Sequence, residues 1–405
     1  MENDIELDED LHLIDSLLEI SLKEKLFPTV YKYLDENNLL TNNQIKQYGG
    51  LFEEYLRKRE SVLNIFNFLC EKPIEFKEKF LALKGIGMEL YYPKGVHRQF
   101  SDLDMCVENP DSFWEIGDLF LKQGFDIYST MNLCSNLQDL SKIFGSARYE
   151  EEESVLQGVE IQVGRFPVTL NTYISWDILQ HNKTKYKVND DYIYVPSCES
   201  SFILMLGEFL TRPGQFYLRD IIDILHLTKN LDSNQIDFIN HKIEELKLYP
   251  SLSIVENAYK RYNLEFPDRL KTLMKNKKSK SSILTGHIFP FLKQENKFKV
   301  KNLLLLLFRK ISYTLNDNDK FLLTLKKTDE KFGPMIFYSN GQYVYFMKLH
   351  NYTGEHTWIT INNVHFLVTP VGTFIGCMHA LYSDEELEMF SESIEKYVKR
   401  EENVH

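Results

Sequence analysis

The pattern of apolar and polar positions predicts that the chain begins with helices. Residues 9 to about 36 carry apolar side chains at helical spacing, which indicates an amphipathic helical stretch. Thr41 and Gln44 have the spacing of a capping box, so a long helix is expected to begin there and run to Cys70. We therefore predict an N-terminal helical region over residues 1–75.

Between residues 76 and 195 the pattern changes to short apolar runs separated by turns. Strand, helix and strand in this order are an α/β signature. With the helical and β-rich regions that flank this mixed core, the expected fold class of the chain is α+β. The predicted elements are a buried strand at 81–83, a strand at 102–107, a helix from Asp111 to Gly124, a strand at 125–128, and a hairpin formed by 142–150 and 155–163.

The remainder of the chain is predicted as two further regions. A helical bundle over residues 196–275 is expected to pack beside the sheet and form one wall of its cleft. Its predicted helices are at 197–211, 217–229, 234–246 and 252–262. Residues 276–405 are expected to hold a helix at 300–315, a β-rich part at 320–380 and a terminal helix from Ser383. The basic stretch 269–280 between them fits either a solvated linker or a patch for an acidic or nucleic-acid acceptor.

Size and composition limit the possible classes of protein. The 405 residues suffice for two or three domains, and 43% hydrophobic residues is a globular value. The net charge of −12 disfavours broad affinity for nucleic acid. The acidic N-terminus lacks a signal-peptide pattern, and the apolar run 303–308 is far too short to cross a membrane, so a cytoplasmic protein is expected. Five widely spaced cysteines favour neither a disulfide framework nor a zinc site.

The candidate chemistry begins with two aspartates. Asp102 and Asp104 are two residues apart, so on a strand they project from one face while Leu103 and Met105 project from the other. Two neighbouring carboxylates repel each other unless a cation lies between them, and paired carboxylate oxygens suit Mg²⁺. The pair therefore predicts a site for one or two magnesium ions.

The residues ahead of this strand provide groups that bind anions. Lys84 and Gly85 form a predicted tight turn, and residues 86–92 are expected to begin a helix whose free N–H groups face phosphate oxygens. Arg98 adds a guanidinium that either binds a phosphate or forms ion pairs with the aspartates. Arg219 and His226 are candidates on a later helix, whereas Asp220 and Asp223 are expected to be surface or local ion-pair residues.

The order of these residues resembles the pattern of the nucleotidyltransferase-like superfamily, in particular of a poorly characterised bacterial branch. The pattern consists of an apolar strand, Leu83-Lys84-Gly85, Arg98 and Asp102-Leu103-Asp104. The resemblance covers about residues 9–230. It implies a mixed sheet flanked by helices, a glycine turn that holds a triphosphate, and transfer of a nucleoside monophosphate to an acceptor hydroxyl with release of pyrophosphate. It also implies a third carboxylate that binds metal or acts as the base.

Glu160 is the candidate for that third position. It alternates with Val159 and Ile161 on a predicted strand, so it projects from the polar face. The sequence departs from the wider superfamily because Ile86, and no hydroxyl residue, follows Gly85. The predicted catalytic and metal-binding residues are therefore Asp102, Asp104 and Glu160, and the predicted nucleotide-binding residues are Lys84, Gly85 and Arg98.

The sequence defines the substrates less well than it defines the site. ATP is the default nucleoside triphosphate, and the net acidity favours a peptide, protein or small-molecule acceptor over RNA. Two alternatives stay open. One is transfer to an RNA end bound by the stretch 269–280, and the other is a non-catalytic nucleotide-binding or scaffold protein whose C-terminal β-rich domain binds a partner.

Overall fold

The fold is a mixed α+β arrangement, as predicted. The computed structural model describes residues 2–127, 130–136, 139–151, 156, 158–169, 172–211, 216–274, 345–350, 353–355, 357–361, 364–377 and 384–402. The predicted helix at 300–315, the residues 320–344 of the predicted β-rich part and the basic residues 275–280 lie outside these ranges. None of the described helices is long and apolar enough to cross a membrane.

The first half of the chain alternates between helices and short strands. Its elements are α1 (Glu2–Lys23), α2 (Phe27–Glu36), α3 (Asn42–Cys70), α4 (Ile74–Lys77), β1 (Phe80–Leu83), α5 (Lys84–Gly87), β2 (Leu103–Val107), α6 (Pro110–Lys122), β3 (Asp126–Ile127), β4 (Thr130–Asn136), β5 (Asp139–Glu150), β6 (Val159–Val163), β7 (Arg165–Thr169), β8 (Thr172–Ser175) and α7 (Trp176–Gln180).

The second half begins with a hairpin and a set of helices and ends with strands and one helix. Its elements are β9 (Thr184–Val188), β10 (Asp191–Val195), α8 (Cys198–Thr211), α9 (Leu218–Thr228), α10 (Ser233–Glu245), α11 (Tyr249–Arg261), α12 (Asp268–Met274), β11 (Tyr345–His350), β12 (Thr357–Ile361), β13 (Val364–Thr369), β14 (Gly372–Cys377) and α13 (Asp384–Glu402).

The described residues fall into two compact units. The first holds those within 1–104, 155–157 and 178–293, and the second holds those within 105–154, 158–177 and 294–405. Each unit combines segments that are distant in sequence. The division predicted from sequence, at residues 75, 195 and 275, stays a prediction about domains.

The first unit is mainly helical around a short strand. A cluster of buried side chains from α1, α2 and α3 forms its N-terminal core, including Leu18, Phe27 and Tyr48. The predicted capping box at the start of α3 is confirmed, because Gln44 N–H donates to Thr41 Oγ1 and Thr41 N–H donates to Gln44 Oε1. The strand β1 is buried throughout and contacts β10 of the antiparallel β9–β10 hairpin.

The second unit contains most of the strands. Within the large sheet the order is β2-β6-β5-β4-β11-β14-β13-β12, and β3 also pairs with β5, whereas β7 and β8 form a separate two-stranded sheet. The predicted hairpin is confirmed, because β5 and β6 are antiparallel with Arg148 opposite Glu160. The predicted helix at 111–124 is also present as α6, and Asn109 caps it by accepting a hydrogen bond from Ser112 N–H.

The C-terminal part of the chain confirms the predicted β-strands and terminal helix where it is described. β11, β14, β13 and β12 pair antiparallel in that order. Ile394 of α13 packs with Phe366 and Ile375, which joins the helix to this face of the sheet.

Candidate functional site

The predicted turn after β1 has an unusual backbone. Lys84 and Gly85 both have a φ of 41°, in the left-handed region. A Cβ atom on Gly85 would lie 3.6 Å from the carbonyl oxygen of Asp102, an ordinary contact, so the backbone angle rather than lack of space favours glycine. A lysine in this region is uncommon, and such conformations occur preferentially at ligand sites.

The segment after the turn differs from the expected helix. Residues 84–87 form one irregular helical turn with non-helical angles at Gly85, and Met88–Tyr91 continue as a 3₁₀ helix. Gly87 lets this turn pack closely, because a Cβ there would come within 3.0 Å of the Ala82 carbonyl oxygen and 3.2 Å of a Val195 methyl group. So short and irregular a segment aligns few peptide dipoles, which weakens the expected helix-terminus contribution to phosphate binding.

The two aspartates lie at the start of β2. Asp102 immediately precedes the strand and accepts a hydrogen bond from the Ser101 hydroxyl at 3.2 Å. Asp104 lies within the strand and is only 9% exposed. All five residues of β2 are buried, so the polar face that the sequence predicted is enclosed rather than open.

Lys84 brings a positive charge to Asp104. Its Nζ lies 3.5 Å from Asp104 Oδ1 and 2.5 Å from Glu208 Oε1. Glu208 comes from α8 and was not predicted as a site residue. One sequence signal marks it, because Glu208 is the only charged residue between Ser200 and Thr211. A lone charge within an apolar helical run needs a partner when that helix is buried.

Arg98 forms an ion pair with Asp223, which was not predicted to belong to the site. Its Nε and Nη2 each donate to one carboxylate oxygen of Asp223, both at 2.9 Å. Asp223 is fully buried and belongs to an ion pair, so of the two expected settings, surface or local ion pair, only the surface setting is wrong. Burial alone would raise the pKa of Asp223, but the Arg98 charge and its hydrogen bonds outweigh this effect and lower that pKa.

Further polar groups surround this ion pair. The Tyr92 hydroxyl donates to Asp223 Oδ1 at 2.5 Å, and burial together with the Asp223 charge raises the Tyr92 pKa. Arg219 donates to Asp220 Oδ1 at 3.2 Å and to the Gln99 carbonyl. Asp220 is also buried. These contacts tie α9 to the segment that leads into β2.

A small pocket lies between these groups in the first unit. The region spans about 290 Å³, a volume that includes open solvent. Its lining mixes charged and apolar side chains: Lys84, Met88, Arg98, Ser201, Leu204, Met205, Glu208, Asp220 and Asp223. Two predicted nucleotide-binding residues, Lys84 and Arg98, therefore line one pocket.

Glu160 lies in the second unit. It is half-buried on β6, where it is paired across the strands with Arg148. Lys84, Gly85, Arg98, Asp102 and Asp104 all belong to the first unit. Glu160 as the third carboxylate stays a prediction.

The donor chemistry of the aspartates fits magnesium. Within the described part of the chain, no three His, Cys, Asp or Glu side chains form a group that could hold a metal ion. Magnesium in phosphate-transfer sites needs only one or two carboxylates, since phosphate oxygens and water supply its other ligands. Asp102 and Asp104 provide carboxylates of that kind, next to a lysine that could contact a phosphate.

Comparison with known proteins identifies the family. A model of the family described as "uncharacterised nucleotidyltransferase" matches residues 12–258, more than half of the chain. The chain belongs to this family. The match spans the turn at Lys84, both aspartates and the helices α8 and α9, and thereby confirms the resemblance to the nucleotidyltransferase-like superfamily.

Other comparisons add little to the family assignment. A crystal structure of an antigenic nucleotidyltransferase-like protein from Paracoccidioides brasiliensis is 13% identical, with 50% of this chain and 87% of that chain covered and a TM-score of 0.28. So low a TM-score supports no argument about function. A comparison with curated proteins found no match.

Proposed function

We propose that this nucleotidyltransferase transfers a nucleoside monophosphate from ATP to a hydroxyl or similar group of a peptide, protein or small molecule and releases pyrophosphate. The observation that carries the proposal is the position of Lys84. A left-handed turn at the end of β1 places its ammonium group in a pocket and 3.5 Å from Asp104. A lysine and a carboxylate at a glycine turn supply two kinds of group that bind a metal–triphosphate complex, a cation for the phosphates and a ligand for the metal.

The roles of the side chains follow from their charges. Lys84 would hold the phosphates that leave as pyrophosphate, and Gly85 would let the backbone approach them. Arg98 lines the same pocket and adds positive charge there, while Asp223 fixes its orientation. Asp102 and Asp104 would hold Mg²⁺, with Glu160 as the proposed third ligand or base. Bound magnesium would neutralise the charge that develops on the phosphate oxygens.

The test is thermal unfolding with each nucleoside triphosphate, with and without Mg²⁺. Ligand at about a hundred times its dissociation constant stabilises a protein by roughly 2.7 kcal/mol. We expect this shift with ATP and Mg²⁺ together, and we expect Asp104→Asn to abolish it. Asp118→Asn is a matched control, because Asp118 forms an i,i+4 ion pair with Lys122 on the surface of α6.

A positive result would be followed by a search for the acceptor. Protein, peptide and metabolite fractions would be incubated with α-labelled ATP, and label should appear in an acceptor only with intact Asp102 and Asp104. No stabilisation by any triphosphate would reject the proposal. Equal stabilisation of the wild type and Asp104→Asn would assign nucleotide binding to other residues.

One observation favours a second candidate, a non-catalytic nucleotide-binding or scaffold protein. The Arg98 guanidinium already donates two hydrogen bonds to Asp223, and the Lys84 ammonium group already contacts two carboxylates. Tight ATP binding with Mg²⁺ but no transfer of α-label to any fraction would support this candidate over the enzyme. In either case we propose a cytoplasmic protein.

A further inference from the structure

Lys84 is shared unequally between two carboxylates. Its ammonium nitrogen lies 2.5 Å from Glu208 Oε1, a short hydrogen-bonding distance, but 3.5 Å from Asp104 Oδ1. The three side chains are 12–17% exposed, so water screens their charges only in part. Glu208 therefore takes the closer contact with the lysine.

The unequal sharing affects the charge on Asp104. An ammonium group in direct contact with a carboxylate neutralises it and competes with any metal ion for its oxygens. Moving that ammonium group to another carboxylate weakens the competition. The position of Lys84 thus influences how strongly Asp104 attracts a divalent cation.

We propose that Glu208 is a positioning residue that keeps Lys84 closer to itself than to Asp104 and so sets the affinity of Asp104 for a divalent cation. The inference rests on the proposed function for the identity of that cation, but it concerns contacts within the first unit only. Glu208 acts through Lys84 here, and no direct contact with substrate is assigned to it.

The test is Mn²⁺ binding to the nucleotide-free protein, measured from the electron paramagnetic resonance signal of free Mn²⁺. Mn²⁺ prefers the same oxygen ligands as Mg²⁺. The Glu208→Gln variant keeps the shape of the side chain but loses its charge, so Lys84 should move onto Asp104. We expect the dissociation constant to rise about tenfold, as is typical when a residue supporting a metal ligand is changed.

The decisive comparison repeats this substitution in a Lys84→Met background. If Glu208 acts through Lys84, Glu208→Gln should raise the dissociation constant clearly less in this background than in the wild type, because only the direct effect of the Glu208 charge remains. An equal rise in both backgrounds would mean that Glu208 acts by its own charge, and would overturn the proposal. Glu208→Asp keeps the carboxylate and should shift the constant less than Glu208→Gln.

Further controls separate this inference from the proposed function. Each variant is checked for cooperative unfolding without metal, and Glu208→Asp replaces Glu208→Gln if that variant does not fold. Absence of Mn²⁺ binding in the wild type, or binding that survives Asp104→Asn, would reject the inference. Normal Mn²⁺ behaviour in all variants but no stabilisation by any triphosphate would reject only the proposed function.

Discussion

The Arg98 guanidinium and the Asp223 carboxylate form a buried ion pair with two parallel hydrogen bonds, each 2.9 Å long. The two residues are 125 positions apart in the chain. Their pairing links the segment before β2 to α9. An unpaired charge in such a place is strongly unfavourable, so each residue requires the other.

We predict that Arg98→Met destabilises the protein by about 3–5 kcal/mol, since it leaves the buried Asp223 charge without its partner. Arg98→Lys should cost less, because it keeps a positive charge but loses the two-point contact. The free energy of unfolding, measured by urea denaturation, checks both values.

The surface pair of Lys122 and Asp118 provides the control. Lys122→Met should cost only about 0–1 kcal/mol, as is usual for exposed ion pairs. The double variant Arg98→Met with Asp223→Leu should be more stable than Arg98→Met alone, because it removes the unpaired charge. A loss below about 1 kcal/mol for Arg98→Met would contradict a structural role for the pair.

Local patterns in the sequence predicted much of the fold. The capping box at Thr41 depends on residues only three apart, and the alternation in β6 depends on neighbours within one strand. Such signals depend on residues a few positions apart and can be read without knowledge of distant segments. The helices α8 to α11 were likewise predicted from the spacing of their own apolar residues.

The contacts of the candidate site were harder to predict, because they join distant segments. The turn at Lys84 and the aspartates could be recognised from their local pattern. Nothing near Arg98 in the sequence indicates that Asp223 holds it, and nothing near Lys84 indicates Glu208. Asp223 was expected at the surface or in a local ion pair, whereas its main partner is a buried arginine 125 positions away. Aspartate is usually exposed, a tendency that a buried arginine partner overrides.

A second prediction concerns the glycine in the turn. Gly85→Ala should destabilise the protein by about 1–3 kcal/mol, because an L-residue at a φ of 41° and ψ of −126° is strained although space is available for its Cβ. Gly50→Ala is the matched control. Gly50 lies inside α3 with nothing near its Cβ position, so alanine there should stabilise by about 0.5–1 kcal/mol.

Both glycine variants would be compared by urea denaturation under the same conditions. Similar effects of the two substitutions would show that the backbone angle at residue 85 is not a constraint. If ATP with Mg²⁺ stabilises the wild type, Gly85→Ala should also weaken that stabilisation, whereas Gly50→Ala should not.

The start of α3 gives a third prediction. Thr41→Ala removes the side-chain oxygen that accepts from Gln44 N–H, so it should cost about 1 kcal/mol. Thr41→Ser keeps that oxygen and should cost less. A change below the error of urea denaturation for Thr41→Ala would indicate that water replaces the cap.

The last prediction concerns the pH dependence of stability and rests on His226. The centroid of its ring lies 4.4 Å from that of Tyr92. Burial lowers the pKa of His226 below the usual 6.5, and the Lys229 charge lowers it further, whereas the nearby Asp223 charge raises it by a smaller amount. As the pH falls below about 7, the unfolded chain therefore takes up a proton on this histidine more readily than the folded protein does. Protonation thus favours unfolding, and the contribution of His226 to stability decreases from pH 7 toward pH 5.

His226→Gln should remove this contribution. The wild type should lose more stability than the variant between pH 7.5 and pH 5.5, even if the variant is less stable at both values because it lacks the contact with Tyr92. The measurement is the free energy of unfolding in urea at a series of pH values. Since all other histidines are shared, parallel pH curves would mean that His226 has the same pKa in the folded and unfolded states, contrary to its burial beside Tyr92.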